Sequence, residues 1–159
     1  LVEPVAEPRT DFEKAICKSL VRFSGGRMKR ILEADLSAKD YYAIYYSAHW
    51  CPPCRKFTPQ LISFYNSYSK KHDNFEIIFV SSDRSEDKME NYMKTTNMPW
   101  PALAFDKTQT SHAANRYSGN GIPCLVLLDN KGNVLANSYV GGVYTGPTAV
   151  MHALKEKLD

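Results

Sequence analysis

Tyr46-Ser47-Ala48-His49-Trp50-Cys51-Pro52-Pro53-Cys54-Arg55-Lys56-Phe57 is the stretch on which the reading of this chain turns. Two cysteines with a two-residue spacer follow the apolar run Tyr42 to Ala48 and precede a helical pattern, so both sulfurs fall at a strand-to-helix junction. The first turn of a helix exposes backbone N–H groups and a partial positive charge, which stabilises a thiolate and lowers a cysteine pKa. Cys51 is then the outer, attacking sulfur. Proline fits the first helical turn because its missing N–H would be unpaired there anyway, and its fixed φ stiffens the spacer. Neither Pro52 nor Pro53 can donate to the Cys51 sulfur, which leaves the Cys54 N–H as the nearest backbone donor.

Working outward, Tyr41 to Ala48 is apolar on both faces and reads as a central strand buried from two sides. Phe57, Leu61, Phe64, Tyr65 and Tyr68 recur at three- and four-residue spacing, predicting an amphipathic helix from Cys54 to about Lys70 that Pro59 kinks. Phe75 to Ser81 reads as a second, parallel strand. Asp83 with Glu86 three residues on forms a capping-box pattern for a helix to about Thr96. Strand, helix, strand, helix predicts a β-α-β layer fold of the α/β class.

Downstream, Met98-Pro99-Trp100-Pro101 cannot be regular helix, and Ala102 to Phe105 reads as an edge segment. Asp106 and Gln109 suggest a capped helix over Gln109 to Tyr117 that Gly119 to Gly121 ends. Ile122-Pro123 opens a strand from Cys124 to Leu128, Asn130 to Asn133 turns the chain, and Val134 to Val140 returns antiparallel. Gly146-Pro147 starts a last helix with Val150, Met151, Leu154 and Leu158 inward. Upstream, residues 1–10 read as an extended lead-in, followed by a short helix capped by Asp11 with Phe12, Ile16 and Leu20 on one face. Leu20 to Phe23 and Met28 to Leu32 flank Ser24-Gly25-Gly26 and predict a hairpin. One domain is expected over residues 11–159.

Composition bounds the function. The 159 residues are 43% hydrophobic, ample for one core. The net charge of +3 is scattered among acids and not gathered in a block, so no nucleic-acid partner is expected. No apolar run approaches the roughly 18 to 20 residues that cross a bilayer, so no membrane insertion is expected. The chain begins at Leu1 and not at Met, read here as removal of a leader or an upstream region. Zinc uses the same cysteine spacing but needs four ligands, and a second CxxC or an HxxxH is lacking, so no metal is assigned.

Several neighbours of the cysteines are candidates for supporting roles. Trp50 suits an apolar lip for substrates, and His49 is an exposed loop histidine able in principle to assist proton transfer. Arg55 and Lys56 offer weak electrostatic support to a thiolate. Pro123, if its peptide is cis, would set its backbone and that of Ile122 against the sulfurs. Cys124 either packs in its strand or serves as a third thiol, and Cys17 reads as a small packing residue.

The run from Tyr46 to Leu61 resembles the active-site segment of the tryparedoxin and nucleoredoxin branch of the thioredoxin superfamily. The resemblance extends through Asn74-Phe75-Glu76, Val80-Ser81-Ser82-Asp83, Met98-Pro99-Trp100 and Gly121-Ile122-Pro123. It implies a thioredoxin fold, a central mixed β-sheet with helices on both faces plus an N-terminal helix and β-hairpin. It also implies Cys51 as nucleophile, Cys54 as resolving thiol and Pro123 as a cis-proline, with Trp50, Pro52, Pro53, Ile122 and Pro123 meeting substrate. The implied activity is reduction or exchange of protein disulfides by a monomer that uses no cofactor beyond the Cys51-Cys54 couple and is recharged by an upstream thiol donor. The alternative is a non-enzymatic partner-binding module of the same fold. Tyr45-Tyr46-Ser47-Ala48 and Gly146-Pro147 also resemble bacterial exported members, which favours a periplasm over a cytoplasm. Three positions depart from the pattern. Thioredoxins proper usually carry an aspartate where Tyr45 stands, the branch commonly has threonine where Cys124 stands, and tryparedoxins have Trp-Asp-Glu where this chain has Ser82-Asp83-Arg84.

Overall fold

β3 (Tyr41–Ser47) lies in the interior of a seven-stranded sheet, with its side chains apolar on both faces and both of its edges paired. On one side it runs parallel to β4 (Phe75–Ser81), and on the other antiparallel to β6 (Cys124–Asp129). The computed structural model describes residues 9–159, so residues 1–8 of the lead-in expected over 1–10 lie outside the described residues. Two further strands, β1 (Leu20–Ser24) and β2 (Arg27–Arg30), form the expected hairpin, with Gly25 and Gly26 at φ of 62° and 83° in the turn. That pair of left-handed residues matches a two-residue turn to the twist of its strands. β5 (Ala102–Leu103) joins the hairpin to β4, and β7 (Val134–Asn137) closes the far side, giving the order β2-β1-β5-β4-β3-β6-β7. Ala102 to Phe105 is therefore not an edge: the hairpin covers it, and β2 and β7 are the edges.

Strand periodicity divides the core into two layers. Tyr45 stands level with Phe79 and Leu125, and this face packs against α2 (Pro52–Tyr68), α3 (Glu86–Thr96) and α5 (Thr148–Leu158) through Phe57, Leu61, Met89, Val150 and Leu154. Tyr46, level with Val80 and Cys124, faces the other way, toward α1 (Asp11–Ile16) and α4 (His112–Asn115). Pro59 stands inside α2 without ending it.

Caps account for most of the departures from the predicted boundaries. Thr10, not Asp11, caps α1, in a reciprocal capping box with Glu13, and Leu20 already belongs to β1. Ser85, not Asp83, caps α3 by accepting the Lys88 N–H. The helix expected over Gln109 to Tyr117 is only His112–Asn115, capped by Ser111 and preceded by a 3-10 turn at Phe105–Lys107. After β7 the chain adds a small hairpin, β8 (Tyr139–Val140) and β9 (Val143–Tyr144), instead of running straight to Val140.

Candidate active site

Cys51 is the N-cap of α2, and its sulfur accepts the Cys54 N–H at 3.3 Å. The geometry follows from the spacing: an N-cap side chain reaches the N–H three residues on, and two prolines between offer no competing donor. Cys51 and Cys54 are joined as a disulfide with their Cα atoms 5.2 Å apart. Cys51 is 4% exposed and Cys54 is fully buried, so Cys51 is the less enclosed of the two.

Three elements converge on this helix start. The Ile122-Pro123 peptide is cis, and the Ile122 carbonyl oxygen lies 3.8 Å from the Cys51 sulfur. The Tyr144 hydroxyl, from β9, donates to the Pro123 carbonyl at 2.6 Å and ties the small hairpin to the same point. From the β4 side, the parallel register sets Ser47 level with Ser81, so the loops that leave the two strands run side by side. There the Asp83 carboxylate accepts the His49 N–H at 2.8 Å and the Ser81 hydroxyl at 2.7 Å. The Trp50 indole N–H donates to the Ser82 carbonyl at 3.0 Å, leaving the ring 51% exposed beneath the Arg84 guanidinium, which sits 5.9 Å from the ring centroid. His49 is not the exposed loop histidine expected. It is half-buried and stacked on Tyr92 with centroids 5.3 Å apart.

Under the cysteines lies a buried cluster of hydroxyls. The Tyr92 hydroxyl is hydrogen-bonded to Ser47 at 2.8 Å and to Thr58 at 2.6 Å, and Thr58 to the Tyr45 hydroxyl at 2.7 Å. Burial pushes the phenols of Tyr45 and Tyr92 above their ordinary range, so these are neutral groups that share protons by hydrogen bonding. Position 45, where thioredoxins proper usually carry a charge, thus holds a neutral one. Asp83, Tyr92, Thr58 and Ser47 were not singled out from sequence as site residues. The signal for Asp83 was its place directly after a strand parallel to the one leading to Cys51.

Arg55 and Lys56 are exposed on the first turn of α2. Cys124 is fully buried in the layer facing α1 and α4, level with Tyr46, and burial raises its thiol pKa. Cys17 is buried in the same layer, where desolvation pushes its thiol up to about 11. Among the described residues no group of three or more His, Cys, Asp or Glu is disposed to hold a metal ion.

A cis-proline set against a CxxC pair at the start of a helix, on a central mixed sheet, defines a thioredoxin-fold protein of the dithiol–disulfide type. The sequence model of a family described as thioredoxin-like matches residues 39–134, and the chain belongs to that family. Its relatives include human nucleoredoxin, 38% identical over 125 residues that make up 78% of this chain and 27% of that protein. Tryparedoxin of Trypanosoma brucei brucei is 39% identical over 87 residues, 54% of this chain and 58% of that one. The chain thus spans about a quarter of the length of the nucleoredoxin, 27%. Among solved structures, a thioredoxin from Wuchereria bancrofti has 34% identity and a TM-score of 0.65, covering 87% of this chain and 95% of that one. Tryparedoxin II complexed with glutathionylspermidine has 32% identity and a TM-score of 0.60, covering 76% and 81%. These relatives come from animals and a trypanosome and lend no support to the expected bacterial origin.

Proposed function

We propose that this chain is a thiol-disulfide oxidoreductase that reduces or exchanges protein disulfides through the Cys51-Cys54 couple. The observation that carries the reading is the Cys54 N–H aimed at the Cys51 sulfur from the first turn of α2 at 3.3 Å. A donor fixed there stabilises negative charge on that sulfur more than on an unattended thiol, so the reduced pair holds its thiolate at Cys51.

In the reducing direction the Cys51 thiolate attacks one sulfur of a substrate disulfide. The substrate S–S bond breaks, its other sulfur leaves as a thiolate, and a mixed disulfide forms. Cys54 then gives up its proton and attacks the Cys51 sulfur, releasing the second substrate thiolate and closing the intramolecular disulfide. Two electrons have passed to the substrate. An upstream dithiol returns them by the same steps, and the opposite direction uses the same chemistry run backward. The exposed Trp50 ring and the Ile122 carbonyl flank the line of approach to Cys51, which suits them to hold the incoming chain.

Turnover of insulin disulfides with a dithiol donor tests the reading. Cys51→Ser should reduce it to the uncatalysed rate, and undiminished turnover in that variant removes the proposal. Cys54→Ser should accumulate mixed disulfides that resolve on non-reducing gels and vanish with excess thiol. A partner-binding module of the same fold would instead show no reversible two-electron titration of its thiols in glutathione buffers.

A further inference from the structure

An open groove of about 380 Å³ runs beside the redox pair, lined by His49, Trp50, Arg55, Asp83, Arg84, Lys88 and Asn91. Three elements contribute its cations: the start of α2 gives Arg55, the loop after β4 gives Arg84, and α3 gives Lys88. The one carboxylate in the lining is Asp83, whose oxygens accept the His49 N–H and the Ser81 hydroxyl, so three cations stand against one anion. Glu86, Asp87 and Glu90 of α3 do not line the groove. The Arg84 guanidinium also lies over the Trp50 ring, 5.9 Å from its centroid, a weak cation–π contact. A guanidinium presents paired N–H groups that match a carboxylate, and a concave wall with an excess of positive charge concentrates anionic groups near the attacking Cys51 sulfur.

We propose that this groove selects substrates whose target disulfide is flanked by acidic residues, an inference that rests on the exchange activity proposed above. Arg84 and Lys88 set the preference, and Trp50 forms the floor on which the acidic segment lies beside Cys51. The field is exposed to solvent, so the preference acts mainly on encounter and weakens with salt.

The test uses three peptides, each closed by one internal disulfide and identical except for a Glu-Glu, Gln-Gln or Lys-Lys pair beside it. The full chain, reduced and freed of excess dithiol, supplies the two electrons in a single turnover followed by stopped flow. The expected order of second-order rate constants is Glu, then Gln, then Lys, with about tenfold between the extremes at low salt. High salt should compress that ratio, and Arg84→Glu with Lys88→Glu should invert the order. Arg84→Gln, a milder change on an exposed residue, should lower the Glu-to-Lys ratio about threefold and serves if the double variant does not fold. Equal rates for the three peptides in a chain that reduces them all would overturn the inference while leaving the exchange activity intact. So would a preference that both variants leave unchanged. Failure to reduce any of the three would remove the exchange activity, and the inference with it.

Discussion

Cys51 and Cys54 stand at the start of α2, while Cys17 and Cys124 lie in the layer between the sheet and α1 and α4; the same side chain meets opposite conditions in the two places. At the helix start a backbone N–H points at the Cys51 sulfur. In the layer the thiols are shut among Tyr42, Ile44, Tyr46 and Val126, where ionising would cost the hydration of the thiolate with little in return. The two places differ in the backbone donor that faces the sulfur, and the count of cysteines says little about that.

The widest gap expected is in alkylation of the reduced protein at neutral pH, read by mass mapping. Desolvation holds Cys17 near 11 against an ordinary 9.0, so it carries about a hundredfold less thiolate than an unperturbed thiol. The Cys54 N–H favours the thiolate at position 51, so Cys51 should react faster than Cys17 by at least that factor. Equal rates at the two positions would erase the contrast.

A smaller effect is expected from what supports each region. Thr58 stands one turn after Cys54 on α2, and Tyr92→Phe would strip Ser47 of its hydroxyl partner and leave Thr58 with Tyr45 alone, while both stay buried. Urea unfolding should show a loss of about 1–3 kcal/mol, and a cost near zero would mean that the hydroxyls find other partners.

The least effect belongs to the alkaline limb of stability. A thiol whose folded pKa is raised keeps its proton in the folded state after the unfolded chain has lost it, so stability falls as pH climbs from about 9 toward 11. The slope from Cys17 is at most about 1.4 kcal/mol per pH unit. Cys17→Ala should flatten the fall by that share, leaving the part due to buried tyrosines such as Tyr42 and Tyr46, whose phenols burial also raises. An unchanged slope would mean that Cys17 is already open to water.

Much of this was legible because period and chemistry agreed. The apolar run Tyr41–Ser47, the three-and-four spacing of α2 and the spacer of two prolines each carry their meaning within a few residues. Caps were read less well. Asp83 with Glu86 fits a capping box by spacing, yet Ser85 caps the helix while the Asp83 carboxylate accepts the His49 N–H from another loop. The run at Ala102–Leu103 looked like an edge because the hairpin that covers it is some 80 residues away in sequence, at Leu20–Ser24.

By itself, the order of residues determined that two sulfurs would meet the start of a helix behind a buried strand, since strand period, proline placement and cysteine spacing are all local. Folding alone decided which groups surround them. The stacking of His49 on Tyr92, the sharing of protons among Tyr45, Thr58, Tyr92 and Ser47, and the basic wall of Arg55, Arg84 and Lys88 each depend on strands and helices brought level by sheet register. Such contacts join residues tens of positions apart, and their energy exists only once the sheet has closed.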